Sequence, residues 1–256
     1  MTVFGKYSRY YDLLYRDKNY DGEAAFVAKL VERYKPGARS LMELGCGSGT
    51  HAACFAHMGY SVDGVDRSQD MLDAAEARCN KLPPEISQRL RFSQGDVRTV
   101  RLDKTVDCVL SLFHVISYMP DNADIHAAFT SARQHLQPGG IFIFDCWYGP
   151  AVLTDRPAVR IKRMQDDATE VTRLAEPVWH PNDCWVDVNY SVFIRDRATG
   201  AVDEVKETHR MRYLFRPELE LFAAATGFRI EHAGEWMTER APDASTWGVC
   251  FVLRAI

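Results

Sequence analysis

Ser40-Leu-Met-Glu-Leu-Gly-Cys-Gly-Ser-Gly-Thr50 is the stretch on which the fold turns. Its first half, Ser40 to Leu44, is a short apolar run, and its second half is a glycine cluster. A buried strand running straight into glycines marks a sharp turn, because glycine accepts backbone conformations that other residues resist. His51 to Met58 then reads as a helix. Gly45, Gly47 and Gly49 let the backbone approach a ligand closely. The N–H groups that open the helix favour a polar or anionic group.

The strand–helix cycle extends in both directions. Upstream, apolar residues recur near helical spacing from Asp21 to Tyr34, and Pro36-Gly37 stops that helix. Downstream come the strand Ser61 to Val65, then Ser68 as an N-cap before the helix Gln69 to Cys79. Leu90 to Ser93 is a strand ending in Gly95-Asp96. Val106 to Phe113 is almost continuously apolar, as a strand buried on both faces should be. The helix Ala123 to Leu136 and the strand Ile141 to Phe144 flank Pro138-Gly139-Gly140. Such alternation predicts an open, mostly parallel sheet with helices on both faces.

After Pro150 the period changes. Val159 to Met164, Glu170 to Leu174, Trp185 to Arg195 and Ala201 to Leu214 favour strand, with Asp196 to Gly200 as a hairpin loop. The earlier pattern resumes in the helix Pro217 to Thr226 and the strands Phe228 to Glu235 and Trp247 to Leu253. The expected class is therefore α/β, a doubly wound, mostly parallel seven-stranded sheet with an inserted antiparallel sheet. Residues 1–37 form an aromatic segment and a helix. Residues 38–149 and 215–256 form the α/β domain, and residues 150–214 form the insert.

Composition narrows the function. A chain of 256 residues buries roughly three quarters of its unfolded surface and needs no disulfide or structural metal to fold. With 46% hydrophobic, 26% charged and 11% aromatic residues it is an ordinary globular protein. A net charge of −4 argues against nucleic acid as partner. The seven cysteines are odd in number and form no C-x-x-C, which fits a reducing, cytoplasmic setting. No apolar stretch reaches ~18 residues, and the aromatic, charged N-terminus is not a secretory signal, so no membrane partner is expected.

Two acids give the glycine loop its meaning. Asp66 ends the next strand, 19 residues after Gly47, where an acid accepts both hydroxyls of a ribose. Gly95-Asp96-Val97 places a further carboxylate at the tip of the third strand, within reach of an adenine amino group. The dinucleotide fingerprint G-x-G-x-x-G is the competing reading and would imply an NAD-dependent oxidoreductase. Here the third glycine comes one residue early, and Thr50 stands at that position. No Lys-Ser or Lys-Thr follows, so a triphosphate-binding loop is excluded. Singly, Gly49 reads as helix–strand packing, Asp66 as a helix-initiating acid and Asp96 as a turn residue.

Together, Glu43-x-Gly45-x-Gly47-x-Gly49, Asp66 and Gly95-Asp96 resemble the class I S-adenosylmethionine-dependent methyltransferases. The turn Leu136-Gln-Pro-Gly-Gly140 before Ile141 is similar to that family too. The resemblance spans roughly residues 38–147 and the terminal strands. It implies a Rossmann-like fold, S-adenosylmethionine as cofactor and S-adenosylhomocysteine as product. It implies a cofactor site made by Tyr20, Glu43, Gly45, Cys46, Gly47, Asp66, Arg67, Met71, Asp96, Val97 and Leu112.

The segment Tyr10-Tyr-Asp-Leu-Leu-Tyr-Arg16, with Lys18-Asn-Tyr20, resembles the Y-D-x-x-Y lid of small-molecule methyltransferases. It is similar in particular to bacterial N,N-dimethyltransferases acting on nucleotide-linked amino sugars. The insert and His209-Arg-Met-Arg-Tyr-Leu-Phe-Arg-Pro-Glu-Leu219 match them as well. By that resemblance Tyr15 faces the reacting amine, and the insert builds the sugar pocket, with a homodimer left open. The bland alternative is that Tyr7, Tyr10, Tyr11, Tyr15 and Tyr20 only staple an N-terminal helix. Where those enzymes align a histidine, a suspected base, this chain has Tyr118, with His114 four residues earlier. In a helical loop the two share a face.

An alkyl amine is an ammonium at neutral pH and must lose a proton before it can act as a nucleophile. Tyr15, Tyr118 and His114 are the catalytic candidates. Trp147, Tyr148, Trp185, Tyr190 and His209 offer faces for a base or sugar, and Arg210 and Arg212 could hold a diphosphate. No metal is expected, since the histidines do not fall at ligand spacing. The expected substrate is a small molecule, a nucleotide-linked amino sugar. A hydroxyl or phosphoramidate acceptor is the alternative.

Overall fold

A computed structural model describes residues 13–256. Tyr7, Tyr10, Tyr11 and Asp12, the first part of the aromatic segment, lie outside the described residues. The chain enters helix α1 (Tyr20–Tyr34), where Asn19 accepts a hydrogen bond from the Gly22 N–H through its side chain. Strand β1 (Ser40–Leu44) follows, then α2 (Thr50–His57), β2 (Ser61–Asp66) and α3 (Gln69–Cys79). Ser68 caps α3 by accepting from the Met71 N–H at 3.4 Å. A short helix α4 (Pro84–Ser87) precedes β3 (Leu90–Gln94) and β4 (Val106–Ser111). Then come α5 (Asn122–Gln134), β5 (Leu136–Tyr148) and α6 (Gly149–Thr154). The inserted strands are β6 (Arg160–Gln165), β7 (Thr169–His180), β8 (Trp185–Asp196) and β9 (Val202–Leu214). Helix α7 (Arg216–Ala225), β10 (Phe228–Glu235) and β11 (Gly248–Ala255) close the fold.

The main sheet runs β3-β2-β1-β4-β5 in parallel, continued by β11 antiparallel to β5 and by β10 antiparallel to β11. That is the doubly wound, mostly parallel seven-stranded sheet expected. Strand alternation sorts the core into two layers. On β5, Phe142 and Phe144 face Phe129 of α5 and Leu219 of α7. Ile141 and Ile143 face the other way, with Val27 of α1 and Phe55 of α2. The inner strands, such as β1, β4 and β5, are apolar on both sides because helices cover both.

Strand β5 is much longer than its apolar run suggests. It begins at Leu136, inside the expected turn, and continues to Tyr148. Its last two residues pair in parallel with Tyr213 and Leu214 of β9, so the inserted antiparallel ladder β6-β7-β8-β9 is hydrogen-bonded onto the main sheet. Leu14 is fully buried against Val171, Val192 and Ile194, which fixes the start of the described chain to the insert. No described helix is long and apolar enough to cross a membrane.

Candidate functional site

The order of the sheet reverses between β1 and β4, and the crevice beyond the carboxyl ends of these strands is where open α/β sheets take ligands. There the structure has a cavity of about 580 Å³, within the usual range of small-molecule sites. All eleven residues expected to contact a cofactor line it, as do Tyr15, His114 and Tyr118.

The glycine loop is built for that cavity. Gly45, Gly47 and Gly49 have φ of +78°, +53° and +70°. Their reasons differ. A Cβ at Gly47 would meet no atom within 4 Å, so the missing side chain leaves open space at the cavity wall. A Cβ at Gly49 would lie 2.9 Å from Ala75 and Phe92, so this glycine serves helix–strand packing. Asp66 braces the loop, its carboxylate accepting from the Gly47 and Ser68 N–H groups, both at 2.9 Å. Burial raises its pKa, and those N–H groups oppose the rise.

Glu43 is the site's most costly group. It is 1% exposed, and Oε2 has no hydrogen-bond partner among the described residues. Burial first, and the nearby Asp66 carboxylate second, push its pKa up to about 8. On its other side, Nδ1 of His51 lies 3.7 Å from Oε1. His51 Nε2 contacts Glu23 at 2.8 Å, and Lys18 also pairs with Glu23. Burial opposes ionisation of Glu23, but the hydrogen bonds with His51 and Lys18 hold it down to about 2. Tyr20 packs edge-on to His51 at 4.9 Å, and Lys18 sits over the rings of Tyr20 and Phe113.

Asp96 departs from the simple expectation. Arg98 donates from Nε and Nη2 to its two oxygens at 2.9 and 2.6 Å, and from Nη1 to Asp124 at 3.0 Å. The Arg98 guanidinium holds the Asp96 carboxyl below its ordinary pKa. Arg98, like Asp96, lines the cavity.

Beyond β4, Phe113 and His114 both adopt left-handed backbone, with φ of 66° and 62°. Two such non-glycine residues in a row store strain, and strain of this kind gathers at functional sites. Asp145, 1% exposed, holds the bend by accepting from the His114 N–H at 3.1 Å, and lies 2.7 Å from His114 Nδ1. Val115–Tyr118 is a single 3-10 turn, so His114 and Tyr118 do not share a helix face. Instead the Tyr118 hydroxyl meets Nδ1 of His209 at 2.7 Å.

The far end of the cavity is aromatic. Tyr15, Tyr118, Trp147, Tyr190 and His209 line it, with Arg160 and Arg210. Arg173 donates to the Tyr15 hydroxyl at 3.0 Å and stacks over Tyr190. Burial raises the Tyr190 pKa to about 12.

Three expected substrate residues lie elsewhere. Tyr148 packs on the main core, and Trp185 lies beneath the Arg210 guanidinium. Arg212 is 7% exposed and donates to the Pro120 carbonyl and to Glu218 at 3.1 and 2.7 Å, so it braces structure. Arg210 reaches the cavity but is held bidentately by Asp187 at 2.7 and 2.8 Å. Of the two arginines expected at a diphosphate, Arg212 is ruled out by its contacts with Pro120 and Glu218, and Arg210 lines the cavity while paired with Asp187. Sequence reasoning did not single out His51, Arg98, Phe113, Arg173 or Glu207. His51 and Arg98 carried a signal, since each closely follows a motif residue. Arg173 carried none, because its partner Tyr15 is 158 residues away.

Residues 41–140 match a family model described as a methyltransferase domain. A dTDP-3-amino-3,4,6-trideoxy-alpha-D-glucopyranose N,N-dimethyltransferase of Streptomyces venezuelae is 31% identical over 87% of this chain and 90% of its own length. The crystal structure of Streptomyces venezuelae DesVI superposes with a TM-score of 0.80 at 26% identity, covering 99% of this chain and 100% of that one. The SAM-bound structure of CalS10, an amino pentose methyltransferase from Micromonospora echinaspora, gives 0.75 at 25% identity, covering 100% and 99%.

Proposed function

This chain belongs to the S-adenosylmethionine-dependent methyltransferases, and on that premise we propose that its acceptor is the amine of a nucleotide-linked amino sugar. The product is the N-methyl or N,N-dimethyl sugar. The observation that carries this reading is that one cavity joins the glycine loop to a chamber of tyrosines and a histidine supplied partly by the insert. The similarity to an amino-sugar N,N-dimethyltransferase supports the same acceptor.

The residues present fit the cofactor. The unpartnered, buried Oε2 of Glu43 suits a cationic amino group, which would offset the cost of its burial. Asp66 would take the ribose hydroxyls, and the open space at Gly47 admits a ligand against the backbone. When bound, S-adenosylmethionine supplies an activated methyl group. The protein's task is to hold the amine in line with it, exclude water and remove a proton. Tyr15, fixed by Arg173 and packed edge-on against Phe113 at 5.1 Å, orients the acceptor. An aromatic wall lowers the amine's pKa by desolvation.

In this reading residues 38–149 and 215–256 hold the cofactor, and residues 150–214 shape the acceptor pocket. Arg160 remains the cavity's candidate for a diphosphate oxygen. The enzyme works on cytoplasmic nucleotide sugars, and a homodimer would use the edge strand β6, where Val159 before it and Ile161 are exposed. The test is S-adenosylhomocysteine release across nucleotide sugars with and without a primary amine. Release only with amines is expected. Equal release from the hydroxy sugars would favour O-methylation and defeat the reading.

A further inference from the structure

We infer that Tyr118, His209 and Glu207 form a relay that takes the proton from the acceptor amine; the inference deepens the amine-methylation reading and rests on it. Tyr118 lies in the turn after β4, whereas His209 and Glu207 lie on β9 of the insert. The Tyr118 hydroxyl is 2.7 Å from His209 Nδ1, and His209 Nε2 is 3.1 Å from Glu207 Oε2. Glu207 and His209 are two residues apart on one strand, so both point to the same face. His209 is 2% exposed, and both Tyr118 and His209 line the cavity.

The direction of the relay follows from its far end. A carboxylate only accepts, so Nε2 of His209 carries the ring proton. Nδ1 is then the acceptor, and the Tyr118 hydroxyl donates to it. Tyr118 lines the cavity, and a phenol oxygen that donates its proton to His209 still has lone pairs with which to accept. An ammonium N–H placed there meets a base backed by an imidazole, which is in turn oriented by an acid. Among the described residues, the polar groups packed against the relay include Tyr190 of β8, edge-on to His209 at 4.8 Å, with Arg173 of β7 and Tyr15 behind it.

The step balances without any redox partner. The ammonium N–H bond breaks, and its proton forms the O–H bond of Tyr118. The original Tyr118 proton moves to Nδ1 of His209, which becomes an imidazolium facing the Glu207 carboxylate. The amine keeps the lone pair. After product leaves, the proton returns through Tyr118 to water in the cavity. A singly methylated amine is again an ammonium, so a second methylation uses the relay again. Tyr118 is the catalytic residue here, and His209 and Glu207 are positioning residues.

The test compares Tyr118→Phe, His209→Gln and Glu207→Gln with wild type on a dTDP-linked amino sugar over a pH series. Without the relay an enzyme can use only amine that is already neutral. A deficit of about thirtyfold near neutral pH should therefore shrink to about threefold at roughly pH 9.5. S-adenosylhomocysteine affinity within about twofold of wild type shows that each variant is folded and loaded. Nitrogen-15 spectra of His209, which need no turnover, should show the Nε2–H tautomer in wild type and lose that preference in Glu207→Gln. An active wild type with deficits equal at every pH, or with none, overturns the relay alone. So does the Nδ1–H tautomer, or a pH-dependent deficit that appears in His114→Gln instead. A wild type that methylates no amino sugar overturns the functional reading, and the relay's acceptor with it.

Discussion

Glu43→Gln separates what the site costs from what it does. The Glu43 carboxyl is fully enclosed beside Asp66, and its pKa stands at about 8 against an ordinary 4.5. A carboxyl whose folded pKa exceeds its unfolded value binds a proton more tightly in the folded state. Its penalty is absent below the unfolded value, grows as pH rises, and is complete once pH passes the folded value. The gap corresponds to roughly 5 kcal/mol at most, at 1.36 kcal/mol per pH unit. Glutamine has nearly the same shape and no charge. The variant's advantage over wild type should therefore be small near pH 5 and reach several kcal/mol by about pH 8. For a chain of this size that is on the order of 10 °C in melting temperature. The assay is urea or thermal unfolding of both proteins, without ligand, across that range. S-adenosylhomocysteine binding, measured beside it, should weaken tenfold or more, because about 1.5–3 kcal/mol of charge-assisted contact is lost. A stability difference that does not change with pH would refute the burial argument. Undiminished binding would refute the role given to the carboxylate.

Four further substitutions follow from the same geometry. Asp66→Asn should raise the S-adenosylhomocysteine dissociation constant about ten- to hundredfold by calorimetry, since a charged acceptor for the ribose is lost. Both Gly47→Ala and Gly49→Ala should lower the melting temperature through about 1–3 kcal/mol of left-handed strain; Gly49→Ala should cost more, because its Cβ also meets Ala75 and Phe92, whereas only Gly47→Ala should weaken S-adenosylhomocysteine binding as well. Arg212→Met should cost about 1–3 kcal/mol in urea unfolding through the loss of the Pro120 and Glu218 contacts, with KM for the sugar nucleotide unmoved.

Features legible in the sequence were those whose cause is local. The two-sided apolar run of β4, the glycine loop and Asp66 each depend on neighbours a few residues away or on the next strand. They fall where the pattern puts them. The length of β5 was not legible, because its ends are ordered by pairing with β4, β11 and β9 and not by their own apolar period. For Gly49 the sequence leaves both a ligand-facing and a helix–strand packing role open, and the Ala75 and Phe92 contacts favour packing. Asp96 reads as an open carboxylate until Arg98 closes on it. Arg212 reads as a phosphate ligand because nothing local shows that Glu218 and Pro120 already hold it. Tyr118 and His209 are 91 residues apart, and their contact exists because the insert is hydrogen-bonded to the end of β5. Partner choice across such distances is set by tertiary packing, which local patterns do not encode.

The central claim is methyl transfer to nitrogen. It is tested most directly by incubating the protein with methyl-labelled S-adenosylmethionine and a dTDP-linked amino sugar, and locating the label in the product by NMR. The account predicts labelled methyl carbon bonded to the sugar nitrogen, with one or two methyls per sugar. Label on a hydroxyl oxygen, or no transfer to any amino sugar by protein that binds the cofactor, would contradict it.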